Sequence, residues 1–282
     1  MVLDRLRRAT PSKDPKKIPD GLWLKCPSCS KTVFKRLVEE RLDCCPECNH
    51  HFKMPSGRRI ANLIDEGTWV EWDANLVSGD PLGFVDGKPY PERIKQQQAK
   101  TGLKDAVLCG TGAMGGHPVG LGVMDFEFNG GSMGSVVGEK LTRMIERSTA
   151  AKMPAIIVSA SGGARMQEGA ISLMQMTKTS AALARHAEKN LPYISVLTNP
   201  TMAGVMASYA SLGDVIIAEP KALIGFTGAR VIQETIKQEL PEGFQTSEFL
   251  FKHGQLDLIV NRQDMKAELA RIVGYLMAGR RG

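Results

Sequence analysis

The sequence predicts an α/β domain preceded by a short cysteine-rich segment, and two observations support this prediction. From about residue 103 to residue 278, apolar strand-like runs alternate with amphipathic helical runs. Such alternation with short turns is typical of parallel strands that are joined by helices. Of the 6 cysteines, all but Cys109 lie between residues 26 and 48. This grouping favours a metal site over a disulfide framework spread along the chain.

Length and charge limit the class of protein. The 282 residues allow one large domain with a small appendage. The net charge of +6 suits anionic partners, such as nucleic acid, phosphorylated cofactors or an acidic subunit, without choosing among them. No apolar run reaches the roughly 20 residues that span a bilayer, and residues 1–20 lack the apolar core of a signal peptide. We therefore expect a cytoplasmic protein with a basic, flexible tail over residues 1–20.

The chain divides into this tail, a cysteine-rich segment at 21–55 and a main domain at 56–282. At the start of the main domain, the helical spacing of its apolar residues predicts a helix over 58–66. Further on, strands at 106–108 and 119–126 are predicted to form a hairpin that turns at residues 115–117.

The rest of the main domain alternates between strands and helices. Short apolar runs predict three strands, at 155–159, 193–197 and 215–218. Amphipathic runs predict three helices, at 135–150, 167–189 and 202–212. We expect these strands to pair in parallel, with the early hairpin as the exception to strand–helix alternation.

Two CPxC motifs in the cysteine-rich segment predict a zinc site. Four thiolates at this spacing form the closed tetrahedral shell of a structural zinc. The predicted ligands are Cys26, Cys29, Cys45 and Cys48. Cys44 offers a competing register but lacks the second CPxC motif, and His50 and His51 are alternative ligands that a four-cysteine shell does not need. Because so short a segment has little core, metal binding would supply most of its folding free energy, on the order of 10 kcal/mol.

Two glycine-rich motifs resemble well-known binding or catalytic signatures. Residues 110–115 fit G-x-G-x-x-G, but a strand and not a helix is predicted to follow, which favours a hairpin over a dinucleotide site. Residues 130–134 fit the G-x-S-x-G of a nucleophile elbow, and Asp214 and His253 follow Ser132 in the order seen in serine hydrolases. A serine hydrolase using Ser132 therefore stays an alternative.

Two further turns could hold an anion or a developing oxyanion. Residues 159–169 leave a predicted buried strand, and residues 199–205 connect a strand to a helix. Small residues at both places leave backbone N–H groups uncovered just before a helix, where the helix dipole favours negative charge. Either turn could equally serve packing alone.

The order of four segments identifies the family that the chain resembles. DFEFNGGSMGSVVGEK, SGGARMQEG, NPTMAGVMASYASLGD and EPKALIGFTGARVI follow the CPxC pair. Over about residues 21–280 this arrangement resembles the beta subunits of acetyl-CoA carboxyltransferase. The resemblance implies a crotonase-like (ClpP/crotonase) ββα superhelix with a small N-terminal zinc ribbon. It also implies transfer of a carboxyl group from carboxybiotin to acetyl-CoA, which gives malonyl-CoA for fatty-acid synthesis.

The resemblance also assigns roles to residues of the glycine-rich turns. The backbone N–H groups of Ala203 and Gly204 match the pair that holds the enolate oxygen of the thioester. The family often has two glycines here, so Ala203 can serve only if its φ angle permits. Lining of the acyl-CoA site is implied for Gly162, Gly163, Arg165, Gly130, Gly131 and Gly134.

The implied partners are a carboxyltransferase alpha subunit in an α2β2 core, a biotin carboxyl carrier protein and an ATP-consuming biotin carboxylase. The chain has one SGGAR-type turn and one MAG-type turn. We therefore expect it to hold acetyl-CoA and to lack the carboxybiotin half of the site. Other crotonase-fold enzymes, such as a hydratase or decarboxylase, are alternatives that the zinc ribbon disfavours. A nucleic-acid-binding role for the ribbon and the basic tail is another alternative, testable by its salt dependence.

Overall fold

The structure of the protein is a computed structural model that describes residues 22–278, except for the side chains at positions 230 and 236. The basic tail predicted at residues 1–20 lies outside the described residues. Within the described part of the chain, no helix has the length and apolar character needed to cross a membrane.

The cysteine-rich segment folds as a small ribbon. Its elements are β1 (Trp23–Lys25), β2 (Thr32–Phe34) and α1 (Lys35–Glu40). The two strands pair antiparallel. Behind them, Val33 and Val38 pack with the buried thiols of Cys26 and Cys45. A core of this size cannot offset the conformational entropy of the segment, so a further stabilising interaction is needed.

Short elements connect the ribbon to the main sheet. In chain order they are α2 (Ser56–Leu63), β3 (Val70–Trp72), β4 (Val85–Asp86), β5 (Lys88–Pro89) and α3 (Tyr90–Thr101). The helix predicted at 58–66 is confirmed as α2, although it begins and ends slightly earlier. Its buried Ile60 and Leu63 face the main domain, as the helical spacing predicts.

The main domain supplies the remaining elements. Its strands are β6 (Val107–Met114), β7 (His117–Met124), β8 (Ala155–Ser161), β9 (Tyr193–Met202), β10 (Val215–Ala218), β11 (Ile224–Gly225) and β12 (Leu258–Ile259). Its helices are α4 (Ser135–Ala150), α5 (Gly169–Glu188), α6 (Ala203–Met206), α7 (Ala229–Ile236), α8 (Ser247–Lys252) and α9 (Met265–Met277).

One sheet organises these elements. Its order is β12-β10-β9-β8-β7-β6-β3, with β11 paired to the end of β9. From β7 to β12 the neighbouring strands are parallel, whereas β3, β6 and β7 are antiparallel. The predicted parallel pairing and the early hairpin are both confirmed. The carboxyl ends of β7, β8 and β9 consequently lie at one edge of the sheet.

The hairpin between β6 and β7 explains the G-x-G-x-x-G motif. Gly115 and Gly116 form its two-residue turn with φ angles of +56° and +81°, as tight hairpins require. Gly110 lies inside β6, where a Cβ atom would collide with the carbonyl oxygen of Val70 on β3. The motif therefore serves a turn and a close strand contact, and the predicted hairpin is correct.

Helices cover both faces of the sheet, which explains the continuous apolar runs of its strands. On one face, Ile157 packs with Leu141 of α4 and Leu183 of α5. On the other face, Ile156 packs with Leu269 of α9. Successive residues of β8 thus point into different cores, and both cores consist of strand residues together with residues of the covering helices.

Two predicted helices differ from the structure. The helix predicted at 202–212 is only α6, followed by a 3-10 turn at Tyr209–Ser211. The hydroxyl of Ser208 donates to the carbonyl of Gly204 at 2.6 Å, and Ser208 itself has left the helical region at φ −133° and ψ −121°. The helix predicted at 167–189 begins later, because Gly169 has φ +49° and ψ −130°.

A buried ion cluster attaches the ribbon to the main domain. Glu219, directly after β10, pairs with Arg59 and with Arg262, whose Nη2 lies 2.7 Å from a Glu219 carboxylate oxygen. His51 of the ribbon approaches the same carboxylate at 3.3 Å. The guanidinium of Arg262 also donates to three ribbon carbonyls, those of Leu42, Asp43 and Phe52. We call Arg59, Glu219, Arg262 and His51 the ribbon cluster.

Candidate functional site

The ribbon brings the four predicted cysteine ligands together. Their sulfur atoms all lie within 4.8 Å of one another, with Cys26 and Cys48 3.6 Å apart and Cys29 and Cys45 4.0 Å apart. Four sulfurs at about 2.3 Å from a tetrahedral zinc would be separated by about 3.8 Å. The four thiols therefore fit zinc in both number and spacing.

The alternative ligands point elsewhere. The thiol of Cys44 is buried and lies 3.7 Å from the carbonyl oxygen of Leu42. His51 approaches Glu219, and the ring of His50 packs edge-on against Phe52. Within residues 22–278, the potential metal-ligating group contains the four CPxC cysteines and none of these three residues.

A second assembly forms at the carboxyl ends of β7 and β8. The 130–134 loop lies beside the 162–165 turn, and backbone hydrogen bonds join them like a short parallel pair. The N–H of Gly162 donates to the carbonyl of Gly130 at 2.9 Å, and that of Met133 donates to Gly163 at 2.8 Å. The N–H of Arg165 donates to the carbonyl of Met133 at 2.9 Å. Two segments that the sequence predicts to be functional are thus fixed to each other.

The 202–204 turn at the end of β9 completes this assembly. A Cβ atom on Gly163 would lie 2.5 Å from the Cβ of Ala203, and one on Gly204 would lie 3.3 Å from the Cβ of Ala164. The turns approach so closely because these positions carry no side chain. Gly131, at φ +63°, similarly packs against the carbonyl of Ala160. The structure therefore brings the predicted glycines of all three segments into one site.

Ala203 has an unusual backbone conformation at this site. Its φ angle is +50°, in the left-handed region that non-glycine residues seldom adopt. It is also the first residue of α6, and Gly204 is the second, so both belong to the helix turn whose N–H groups have no intrahelical partner. Strained backbone of this kind persists where the surrounding structure enforces it, often at functional sites. Its conformation is one that a glycine would adopt more readily.

Arg165 lies buried beneath the glycine turns. Its side chain is fully buried, and its guanidinium forms a two-point ion pair with Asp105 at 2.6 and 3.1 Å. Its Nε and Nη2 atoms donate to the hydroxyl and carbonyl oxygens of Ser132 at 3.1 and 2.8 Å. Burial alone would lower the pKa of Arg165, but Asp105 raises it above its ordinary value. At this position the Arg165 side chain supports, from below, the turn that is expected to line the acyl-CoA site.

Glu168 extends this buried group. Its carboxylate accepts hydrogen bonds from the hydroxyl of Tyr90 at 2.7 Å and from the N–H of Ser135, the first residue of α4, at 2.6 Å. A negative charge at this position is favoured by the dipole of α4. Arg165 lies 3.4 Å from the same carboxylate. We call Asp105, Arg165, Glu168 and Tyr90 the loop cluster.

Sequence reasoning missed three members of the loop cluster. Glu168 lies in the SGGARMQEG segment and could have been noticed there. Asp105 and Tyr90 precede Arg165 by 60 and 75 residues. A single carboxylate or tyrosine at such a separation carries no spacing pattern that could have identified it.

The structure does not assemble the serine hydrolase alternative. The hydroxyl of Ser132 accepts hydrogen bonds from Arg165 and from the amide of Asn129. Asp214 binds the N–H of Tyr193, at the opposite end of the sheet, and the His253 ring hydrogen-bonds its own helix at Phe249. No base therefore reaches Ser132 among the described residues, so the G-x-S-x-G motif does not form a nucleophile elbow.

Comparisons with known proteins identify both parts of the chain. Residues 64–277 match the model of the carboxyl transferase domain, and residues 23–48 match the model of the acetyl-CoA carboxylase zinc finger domain. The chain is 58% identical over 256 residues to a chloroplastic "acetyl-coenzyme A carboxylase carboxyl transferase subunit beta" of Pyropia yezoensis, covering 91% of this chain and 89% of the relative. It is 56% identical over 260 residues to the subunit beta of Citrifermentans bemidjiense, covering 92% of each.

Solved structures of similar fold are more distant in sequence. A transcarboxylase 12S structure aligns with a TM-score of 0.67 at 23% identity, over 79% of this chain and 42% of that one. A Pseudomonas malonate decarboxylase heterodimer aligns with a TM-score of 0.62 at 20% identity, over 79% of this chain and 86% of the other. These likenesses establish the predicted crotonase-like fold, and the relatives of higher sequence identity establish the family. The chain belongs to the family of acetyl-CoA carboxylase carboxyl transferase beta subunits.

Proposed function

We propose that this chain provides the acetyl-CoA half of a carboxyltransferase site, at which a carboxyl group passes from carboxybiotin to acetyl-CoA to give malonyl-CoA. The observation that carries the proposal is the contact between the 162–165 and 202–204 turns at the carboxyl end of the parallel strands. Ligands of open α/β sheets bind at that edge. The family membership supports the same activity.

The proposed chemistry needs oxyanion donors more than it needs a protein nucleophile. The α-carbon of the thioester must lose a proton, and the oxygen of the resulting enolate must be stabilised. We assign this oxygen to the backbone N–H groups of Ala203 and Gly204. One such donor is typically worth about 3–4 kcal/mol in the transition state. Carboxybiotin from the partner would supply the carbon dioxide and, on its ureido group, the base for the α-proton, and the enolate carbon would attack this carbon dioxide to form the new carbon–carbon bond. The residues of this chain would hold the reactants in place.

The acyl-CoA would lie along the two glycine segments beside this turn. We assign its contacts to the backbone of Gly162 and Gly163 and to the 130–134 loop, with Gly130, Gly131 and Gly134. Because these positions lack side chains, the backbone can approach a ligand closely. Arg165 supports this surface from beneath.

The partner most consistent with this site is a carboxyltransferase alpha subunit, in an α2β2 core. Several large apolar side chains on segments that follow the turns are exposed in this chain, including Met166 at 61%, Met174 at 66% and Phe226 at 64%. Met166 directly follows the 162–165 turn, and Phe226 follows β11, which pairs with the end of β9. Exposed large apolar side chains of this kind suit a protein interface. We expect an obligate interface above about 2,000 Å² in total.

The complete reaction requires two further proteins and a metal. A biotin carboxyl carrier protein would deliver carboxybiotin, and a biotin carboxylase would form it at the expense of ATP. Zinc on Cys26, Cys29, Cys45 and Cys48 would be structural, because four sulfur ligands leave no open coordination position. We assign the protein to the cytoplasm, where cysteines remain reduced.

Titration with the alpha subunit tests the proposal. The purified chain alone should show negligible carboxyl transfer, because it contains one half of the site. Added alpha subunit should restore malonyl-CoA formation, with activity saturating near one alpha per beta. Transfer by the chain alone at the rate of the mixture would contradict the proposal.

A further inference from the structure

The loop cluster is a buried group of mostly charged side chains at the candidate site. Arg165, Asp105 and Glu168 are charged and fully buried. Charges removed from water carry a large desolvation penalty unless hydrogen bonds and opposite charges compensate for it. Because these hydrogen bonds and ion pairs require a defined geometry, they restrict the positions of the backbone segments that they contact.

The cluster touches the backbone of the candidate site on two sides. Arg165 belongs to the 162–165 turn, and its guanidinium donates to both the carbonyl and the hydroxyl oxygen of Ser132 in the 130–134 loop. These side-chain bonds run beneath the backbone bonds that join the same two segments. The distance between the segments is therefore set by a rigid, planar fork.

Glu168 and Tyr90 fix the orientation of the same parts. Glu168 holds the first N–H of α4, directly after the 130–134 loop. A Cβ atom on Gly134 would collide with this carboxylate, so loop and carboxylate fit each other closely. The hydroxyl of Tyr90 donates to Glu168 and accepts from Arg165 at 3.1 Å, which links the anion and the cation.

We propose that the loop cluster is a positioning device that sets the spacing of the 130–134 loop and the 162–165 turn, and through it the turnover rate rather than the affinity for the thioester. Asp105 acts through Arg165, and Tyr90 acts through Arg165 and Glu168. None of the four side chains needs to touch the substrate. The inference rests on the proposed function of this site.

The ribbon cluster offers a matched control, because it also buries an arginine between carboxylate and backbone oxygens. We would compare Asp105→Asn and the milder Tyr90→Phe with Arg262→Lys, each in the full chain assembled with its alpha subunit. The measurements are kcat, KM for acetyl-CoA, the melting temperature, and amide hydrogen exchange followed by mass spectrometry.

We expect Asp105→Asn to lower kcat by about 30-fold or more and Tyr90→Phe by about threefold or more, with KM changed less than threefold, since small misplacements of reacting groups are costly. Amide exchange should rise in peptides from the 130–134 loop and the 162–165 turn. Arg262→Lys, at a comparable loss of melting temperature, should keep kcat and raise exchange in residues 42–52.

The outcomes separate this inference from the proposed function. If both loop-cluster variants lose no more kcat than Arg262→Lys at equal melting temperature, the positioning role is wrong. A rise in KM with unchanged kcat would also overturn it, because it would indicate a role in binding. If the wild-type complex fails to carboxylate acetyl-CoA, the proposed function fails, and the exchange data still show whether the cluster fixes the two segments.

Discussion

The loop cluster and the ribbon cluster use the same buried chemistry at two places in one chain. In both, an arginine forms a two-point contact with a buried carboxylate, and its remaining N–H groups donate to backbone or hydroxyl oxygens. Arg165 directs those donors to a loop of the candidate site, whereas Arg262 directs them to the carbonyls of the zinc ribbon. The comparison shows that two buried ion pairs of the same chemistry differ in the backbone that their remaining donors reach. In one cluster it is a loop of the candidate site, and in the other it is the ribbon.

The largest effect that we expect is loss of zinc from the ribbon. Cys45→Ser should abolish zinc binding, because it removes one of four sulfurs that lie within 4.8 Å of one another. Cys44→Ser is the matched control next to it and should keep one zinc per chain, since Cys44 lies outside that group. Metal content of the purified proteins measures both. Loss of zinc from Cys44→Ser would show that the ligand register is wrong.

The next largest effect concerns turnover at the candidate site. Gly204→Pro should lower kcat by about two orders of magnitude, because proline removes an oxyanion donor and strains the start of α6. Gly57→Pro is a suitable control, since Gly57 is likewise the second residue of a helix and has no atom within 4 Å of a Cβ position. Steady-state kinetics of both variants decide the matter. A folded Gly204→Pro variant with unchanged kcat would remove the N–H of Gly204 from the mechanism.

A smaller effect concerns the stability supplied by the ribbon cluster. Burial alone would raise the pKa of Glu219, but Arg59 and Arg262 hold it well below its ordinary value. Stability from a carboxylate with a depressed pKa is present above its unfolded pKa of about 4.3 and is lost as the pH falls through the folded value. Glu219→Gln should cost about 3–5 kcal/mol at neutral pH.

Denaturant unfolding as a function of pH checks this prediction. The difference between wild type and Glu219→Gln should be largest at neutral pH and should shrink below about pH 4. A difference that does not change with pH would show that the charge of Glu219 contributes nothing to attachment of the ribbon.

The smallest effect concerns the backbone strain of Ala203 at the candidate site. Ala203→Gly should relieve left-handed strain of about 1 kcal/mol and keep kcat, because the glycine adopts the same φ more readily. Ala207→Gly, at an ordinary φ of −78° directly after the same short helix, should instead be neutral or slightly destabilising. Thermal unfolding distinguishes the two. Destabilisation by Ala203→Gly would show that the Ala203 side chain, packed near Gly163, matters more than its backbone.

The sequence predicted the parts of this molecule that follow from local pattern. The strands beginning at Ala155 and Tyr193 were recognised because strands buried on both faces are continuously apolar. The cysteine ligands were recognised because CPxC spacing is itself the geometric requirement. The full length of β6 was not recognised, because its glycines interrupt the apolar pattern. Gly110 is needed there because a side chain would collide with the neighbouring strand β3.

The interior of the candidate site was harder to predict. The motif that contains Arg165 has the same letters whether the guanidinium faces a ligand or lies beneath the loop. Its position depends on Asp105, which is 60 residues away in sequence. The brevity of α6 likewise depends on a hydrogen bond from Ser208 that competes with the helix. Such choices are made by tertiary contacts that a single sequence does not display.

Calorimetric titration of acetyl-CoA into the zinc-loaded chain, without its alpha subunit, measures whether this chain alone forms the acetyl-CoA half of the site. We expect one binding site per chain. Gly131→Ala should weaken binding, because Gly131 packs against Ala160 at the site. Gly116→Ala should leave the affinity unchanged, because Gly116 has a similar positive φ but lies in the hairpin turn with open space around it. Acetyl-CoA binding that requires the alpha subunit, or that responds equally to both substitutions, would contradict the assignment of this half-site to the chain.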